Sequence, residues 1–326
     1  MGKRFVNELA DKDAIDEVFL LNEKQLRANR NGNLYLQVRL ADRTGSLTGM
    51  LWNASERVAE GINGGDYVRV QGTTQLYNGQ LQLILNRIQS VAAEEVDSSD
   101  FVVLGPAELQ RMIDSLGERI GQIRNVHLRA LGQVILSDES LVADFRTAPA
   151  GIKNHHAYRG GLLEHVLSVL TLADRIADHY PRLDRDLLIM GALLHDLGKL
   201  KELTFERELG YSDAGQLLGH VVMGVQMLDG WIRQLEAKAG EPFPDELGNW
   251  LRHLILSHHG EYEYGSPKLP MLPEALALHL ADHLDAKLHH FFQLIDEDPT
   301  ADSAWTAYQP GIGRKVYKKT GVVSGR

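Results

Sequence analysis

Imidazole and carboxylate side chains recur in a fixed order along the second half of this 326-residue chain: His165, His195-Asp196, His220, His258-His259 and Asp282. Such groups bind first-row divalent cations and can hold a hydrolytic water on them. All fourteen histidines lie after residue 126. Taken singly, each is more often a satisfied core residue; His165, for one, sits on an apolar stripe with Leu162, Val169, Ala173 and Ile176. Taken jointly, as inward or terminal residues of successive helices, they describe a site for two cations. The chemistry that follows is metal-dependent hydrolysis of phosphoesters.

Helices must position these groups. From Pro106 onward the pattern is helical, with Leu109, Met112, Ile113 and Leu116 spaced i, i+3, i+4, i+7. The periodicity predicts helices over 161–180, 187–199, 217–235 and 276–292, and another stopped by Gly260. Neighbours on a helix diverge by about 100°. His195 and Asp196 can therefore share an ion only if another helix supplies the rest, and His165 is the natural supplier. Gly198 suits a helix end, and Lys199 beyond it can reach a phosphate oxygen as a point charge. Asp196 and Lys199 are the candidate catalytic residues.

The first ninety residues read differently. Leu34, Leu36, Val38 and Leu40 alternate with polar residues, Asp42-Arg43-Thr44-Gly45 turns the chain, and 47–52 returns. A short helix fits 54–60, and strands fit 67–72 and 81–85, joined through Tyr77-Asn78-Gly79-Gln80, a type I′ turn signal. With the β pattern already running from Ala14, these make five strands with one helix between the third and fourth, the order of an OB-fold barrel. The expected class is α+β multidomain: a five-stranded OB barrel, then an all-α bundle. The expected division is a lead-in (1–13), the barrel (14–92), an acidic linker (93–105), a helical connector (106–160), the hydrolase domain (161–310) and a basic tail (311–326).

Net charge is −10, yet 24–90 carries eight Lys/Arg against four acids and 311–326 carries five against none. Local phosphate contacts suit that distribution better than a whole-surface field. Tyr35, Trp52, Tyr67 and Tyr77 could stack bases, with Arg39, Arg69 and His156 as further nucleic-acid contacts. Cysteine is absent, which excludes thiolate zinc sites and disulfides, and no stretch approaches a membrane span. A cytoplasmic location and no membrane partner are expected; the sequence sets no oligomeric state.

Leu-Ala-Asp-Arg-Thr-Gly-Ser-Leu and Gly-Asp-Tyr-Val-Arg-Val-Gln-Gly in the first part resemble the nucleic-acid-binding OB family that includes tRNA anticodon-binding domains. The order His165, His195-Asp196, Asp282 resembles the HD superfamily of metal-dependent phosphohydrolases, in its two-metal form given His220 and His258. A closer resemblance covers most of the chain. The blocks Asn154-His155-His156-Ala157-Tyr158-Arg159-Gly160-Gly161-Leu162-Leu163-Glu164-His165, His258-His259-Gly260-Glu261-Tyr262-Glu263-Tyr264-Gly265-Ser266-Pro267 and 277–287, after an OB module, are similar to the YhaM-type 3′→5′ exoribonucleases. That resemblance implies one metal held by His165, His195, Asp196 and Asp282. It implies a second held by His220 and His258, with Asp196 bridging and His259 either a ligand or a supporting partner. It also implies manganese, although nitrogen and oxygen ligands admit Fe²⁺ or Ni²⁺ as readily.

The expected function is hydrolysis of single-stranded RNA from its 3′ end by a metal-activated hydroxide, with single-stranded DNA a further candidate substrate. The alternatives are a phosphohydrolase of nucleotides or cyclic dinucleotides, and a nucleic-acid-binding adaptor with an inactive HD domain. The barrel speaks for a polymer. The lack of a Gly-Tyr-Pro block after His258-His259 speaks against cyclic dinucleotides.

Overall fold

The computed structural model describes residues 3–29, 31–77, 80–101, 103–151, 158–205, 210–296, 298 and 303–318. His155 and His156, and the Asn78-Gly79 turn, lie outside them. The chain forms two compact units: residues 1–103, 206–209 and 290–326 make the first, 104–205 and 210–289 the second.

Five strands close the barrel of the first unit: β1 (Ala14–Ala28), β2 (Leu34–Asp42), β3 (Gly45–Trp52), β4 (Tyr67–Tyr77) and β5 (Gln80–Val91). Their order around it is β1-β2-β3-β5-β4, with β3 and β5 parallel and the other pairs antiparallel. Helix α1 (Glu56–Glu60) sits between β3 and β4 and is capped by Ser55, whose hydroxyl accepts from the Val58 amide. Alternation puts Leu36, Val38 and Leu40 inside with Phe19, Leu21, Val68, Val70 and Leu83, all fully buried. Among the described residues, closure leaves each barrel strand with a neighbour on both sides.

The acidic stretch read as a linker is tied down at its end. Phe101 is buried against the Tyr67 ring at 4.8 Å, and the Arg43 amide donates to the Asp100 carbonyl. An aromatic buried there gives the segment a fixed seat that its charge pattern did not announce. Residues 290–310, expected in the helical domain, belong to the first unit.

The second unit is helical: α2 (Pro106–Gly121), α3 (Val126–Leu136), α4 (Glu139–Phe145), α5 (Gly161–His179), α6 (Arg185–Leu194), α7 (Lys199–Glu202), α8 (Asp213–Ala239), α9 (Asp245–Ser257) and α10 (Pro273–Asp296) as far as His289, the rest of α10 falling in the first unit. Beside the helices, β6 (Leu203–Thr204) and β7 (Gly210–Tyr211) pair as a short antiparallel ladder. Helix α6 is apolar on every side and every residue from Leu187 to Leu194 is buried, so it forms the centre of the core. Its N-terminus is fixed by Asp184, which accepts from the Leu187 amide. Among the described residues no helix is long and apolar enough to cross a membrane.

Candidate metal centre

Asp196 lies just beyond the end of α6, in the turn before α7, almost wholly buried. Its two carboxylate oxygens face two different sets of imidazoles. On one side Oδ2 lies 3.5 Å from His165 Nε2 and 3.6 Å from His195 Nε2. On the other Oδ1 lies 3.6 Å from both His220 Nε2 and His258 Nε2. Asp282, on α10, brings Oδ1 to 3.2 Å from His165 Nε2 and 3.9 Å from His195 Nε2. His259 brings Nε2 to 3.2 Å from His220 Nε2. Two trios result, His165/His195/Asp282 and His220/His258/His259, each with its ligand atoms within 4.8 Å of one another. Asp196 stands between them.

Backbone geometry explains how residues up to 117 positions apart in sequence meet. His195 and His258 each cap a helix, on α6 and α9, and each donates Nδ1–H back to a carbonyl of the last turn, Ala192 at 2.9 Å and Ile255 at 2.7 Å. A non-helical Gly219 (φ 73°, ψ 155°) breaks α8 and starts its second part at His220. Gly198 lets the α6–α7 turn lie against that break; a Cβ there would stand 1.9 Å from the His220 carbonyl oxygen. Gly260 (φ 78°) turns the chain after His259 with His279 so close that a Cβ would overlap its ring at 2.2 Å.

The same tautomer recurs. His165 Nδ1 meets Asp285 at 2.8 Å, and His220 Nδ1 meets Glu202 at 3.2 Å, so His165, His195, His220 and His258 all have Nδ1 against an acceptor. Each is thereby left with Nε2 as its inward atom, the arrangement typical of imidazole ligands. Two carboxylates that sequence reading did not assign, Asp285 and Glu202, do this work. Ser168 donates to Asp285, and the His220 backbone amide donates to Glu202 at 3.0 Å. The signal for Asp285 was present: three residues after Asp282, it shares that helix face. Nothing in the local pattern marked Glu202. His279 is no ligand; its Nδ1 donates to the His258 carbonyl at 2.9 Å.

Electrostatics separates the groups. Burial works against a proton on His165, but Asp282 and Asp285 outweigh it and raise its pKa to about 9. Burial dominates at His195 and His259 and lowers both to about 4. Burial would raise the Asp196 carboxyl, yet Lys199, His195 and the nearby His258 and His220 imidazoles hold it well below the ordinary carboxylate range. Lys199 Nζ lies 2.6 Å from Asp196 Oδ2, so the ammonium expected to await a phosphate is engaged by the Asp196 carboxylate.

The cluster fits divalent cations. Its donors are all nitrogen and oxygen, and buried His258 Nε2 and His259 Nδ1 have no hydrogen-bond partner among the described residues. An unpaired buried nitrogen costs free energy unless something occupies it. His258 and His259 both join the second trio, where the resemblance left His259 either a ligand or a supporting partner.

The nucleic-acid candidates do not converge. Tyr35 and Trp52 lie side by side on the outer face of β2–β3, rings 5.3 Å apart, with Trp52 half exposed. Arg39 shares that face and lines a cleft of about 130 Å³ with Asn7, Ser46, Thr48, Gln80 and Gln309. Arg69 lies on β4, with β1 between it and β2, and is held by Asp16 at 2.6 Å. Tyr77 ends β4 and is exposed.

Barrel and helical unit with a histidine–aspartate cluster define the class: an OB-fold nucleic-acid-binding domain joined to an HD domain. Residues 21–91 match the OB-fold nucleic acid binding domain model, and 162–287 match the HD domain model. The 3′-5′ exoribonuclease YhaM of Bacillus subtilis (strain 168) is 37% identical over 278 residues, 85% of this chain and 86% of that protein. The YhaM exoribonuclease of Bacillus velezensis (strain DSM 23117 / BGSC 10A6 / LMG 26770 / FZB42) is 37% identical over 277 residues, with the same coverage. The chain belongs to the YhaM family of 3′-5′ exoribonucleases.

Proposed function

We propose that this protein is a metal-dependent hydrolase that degrades single-stranded RNA from its 3′ end. The observation that carries the reading is the position of Asp196, one oxygen toward each imidazole group. His165, His195 and Asp282 would hold one cation and His220, His258 and His259 the other, with Asp196 common to both. Manganese is the cation we assign, Fe²⁺ and Ni²⁺ being the competitors that this ligand chemistry admits. When bound, such a pair acidifies water and offsets charge on phosphoryl oxygens.

The chain's own groups do the rest. Asp285 and Glu202 keep His165 and His220 turned with Nε2 inward. Lys199 keeps Asp196 ionised and adds positive charge beside it. Burial of the cluster excludes bulk water and strengthens each of these interactions. No serine, cysteine or tyrosine nucleophile is required. The barrel, with Tyr35, Trp52 and Arg39 on one face, offers a stacking and phosphate-contact surface for the polymer. A cysteine-free sequence is consistent with the reducing cytoplasm, where we place the protein.

The test is incubation of pure protein with Mn²⁺ and a 5′-labelled single-stranded RNA, the DNA equivalent and free nucleotides alongside. Progressive shortening of the RNA with release of mononucleotides is expected. An intact polymer beside hydrolysed free or cyclic nucleotides would transfer the activity to small substrates.

A further inference from the structure

We infer that the segment 303–318 carries a second nucleic-acid contact surface, a rigid hairpin whose outer face stacks bases and touches phosphates of the substrate strand. It rests on the reading of RNA as the substrate. The two arms pair through bridges at Trp305–Tyr317 and Gln309–Arg314, with Gly313 (φ 66°) in the turn. The Thr306 amide donates to the Val316 carbonyl at 2.9 Å, the Val316 amide to the Thr306 hydroxyl at 2.9 Å, and the Lys318 amide to the Ala304 carbonyl at 2.8 Å. Asp298 clamps the base of the hairpin: its buried side chain accepts from the Ala307 amide at 2.8 Å and from Lys318 Nζ at 2.7 Å.

This anchoring separates two faces. Thr306, Gln309, Val316 and Lys318 point inward and are buried. Trp305, Tyr308 and Tyr317 are at least half exposed, and Arg314 and Lys315 are exposed beside them. Trp305 and Tyr317 meet edge to face at 4.9 Å, which presets their orientation. A face whose aromatics were meant only for packing would turn them inward, as Val316 is turned. From Ser303 to the last residue the sequence has five basic residues and no acid. Aromatic rings interleaved with cations and free of carboxylates complement a polyanion with exposed π-faces, which is single-stranded nucleic acid. An apolar protein partner would not require the cations, and an acid that would repel phosphates is absent from 303–318, the Asp298 carboxylate at its base being buried against Lys318. The surface therefore supplies base stacking that the basic composition alone did not reveal.

The test uses the full chain. Binding of a labelled RNA of about 16 nucleotides, the upper range for one OB-fold site, is measured by anisotropy with phosphorothioates at its 3′ end to block turnover. Trp305→Ala with Tyr317→Ala should weaken binding at least about fivefold, and Trp305→Phe with Tyr317→Phe should restore it. Lys315→Ala should lower the slope of log affinity against log salt by about 0.7. Turnover of a dinucleotide, which lacks the length of strand that the stacking face is proposed to hold, should be the same in all variants. Parental binding by the alanine pair, failure of the phenylalanine pair to restore it, or an equal loss on the dinucleotide would each overturn the inference. A parent that binds this RNA yet leaves unblocked RNA uncut would strike down the proposed activity and leave the hairpin standing.

Discussion

Among the described residues Asp196 is the one carboxylate facing both imidazole groups, so its loss should be felt twice. Asp196→Asn is expected to reduce metal content at both groups, read by elemental analysis, and to lower activity more than about 100-fold, beyond the range for supporting residues. Those supporting residues give a finer test. Glu202→Gln and Asp285→Asn leave every ligand in place but weaken the acceptor behind one imidazole each. Each should lower metal affinity about 10- to 100-fold in competition titrations; unchanged affinity would mean that the Nδ1 contacts do not orient the rings.

Acid should also act through individual histidines. In metal-free protein His195 and His259 titrate near 4 instead of the ordinary 6.5. The unfolded chain then binds more protons between these values, so stability is full above about 6.5 and falls as pH drops toward 4. His165, lifted to about 9, contributes stability below 6.5 and loses it as pH rises through 9; it does not oppose the acid trend inside the lower window. Chelated protein should therefore show a lower denaturant midpoint at pH 5 than at pH 7. Equal midpoints would contradict neutral burial of the two imidazoles.

Among the elements, the break before His220 and the turn after Asp196 must fit against each other. Gly198 permits that approach, since a Cβ would stand 1.9 Å from a backbone oxygen that cannot rotate away. Gly198→Ala should cost about 3 kcal/mol, the upper end for overpacking, and should displace the His220 segment. The check is thermal denaturation together with metal content. A stable, fully loaded variant would show the turn to be adaptable. Sequence periodicity located α5, α8 and α10 to within a few residues of their bounds, because each buries one apolar stripe. It did not locate the β6–β7 ladder, whose two-residue strands are too short for a period to register.

For the whole molecule, the two units have separate hydrophobic cores, Phe19, Leu36 and Val70 in one and Leu128, Leu188 and Leu254 in the other. Every candidate ligand belongs to the second. Metal binding should therefore stabilise only the helical unit by mass action. Calorimetry with and without chelator should move one unfolding transition and leave the barrel's where it was. A single transition shifted as a block would show that the cores melt together.

The sequence by itself determined which residue types could hold cations, the order in which they occur, the β-then-α division of the chain and the alternation that closes the barrel. These are local properties: side-chain chemistry, and the match of apolar spacing to a period of 2 or 3.6. Only the tertiary structure decided that His258 and His259 both face the second group, that Lys199 is bound to Asp196, and that Glu202 and Asp285 hold the imidazoles. The barrel candidates Arg69 and Arg39 were likewise separated only by strand order. The physical reason is direction. Spacing fixes which face of an element a residue occupies, but what that face meets depends on how helices cross and where glycine lets the backbone turn.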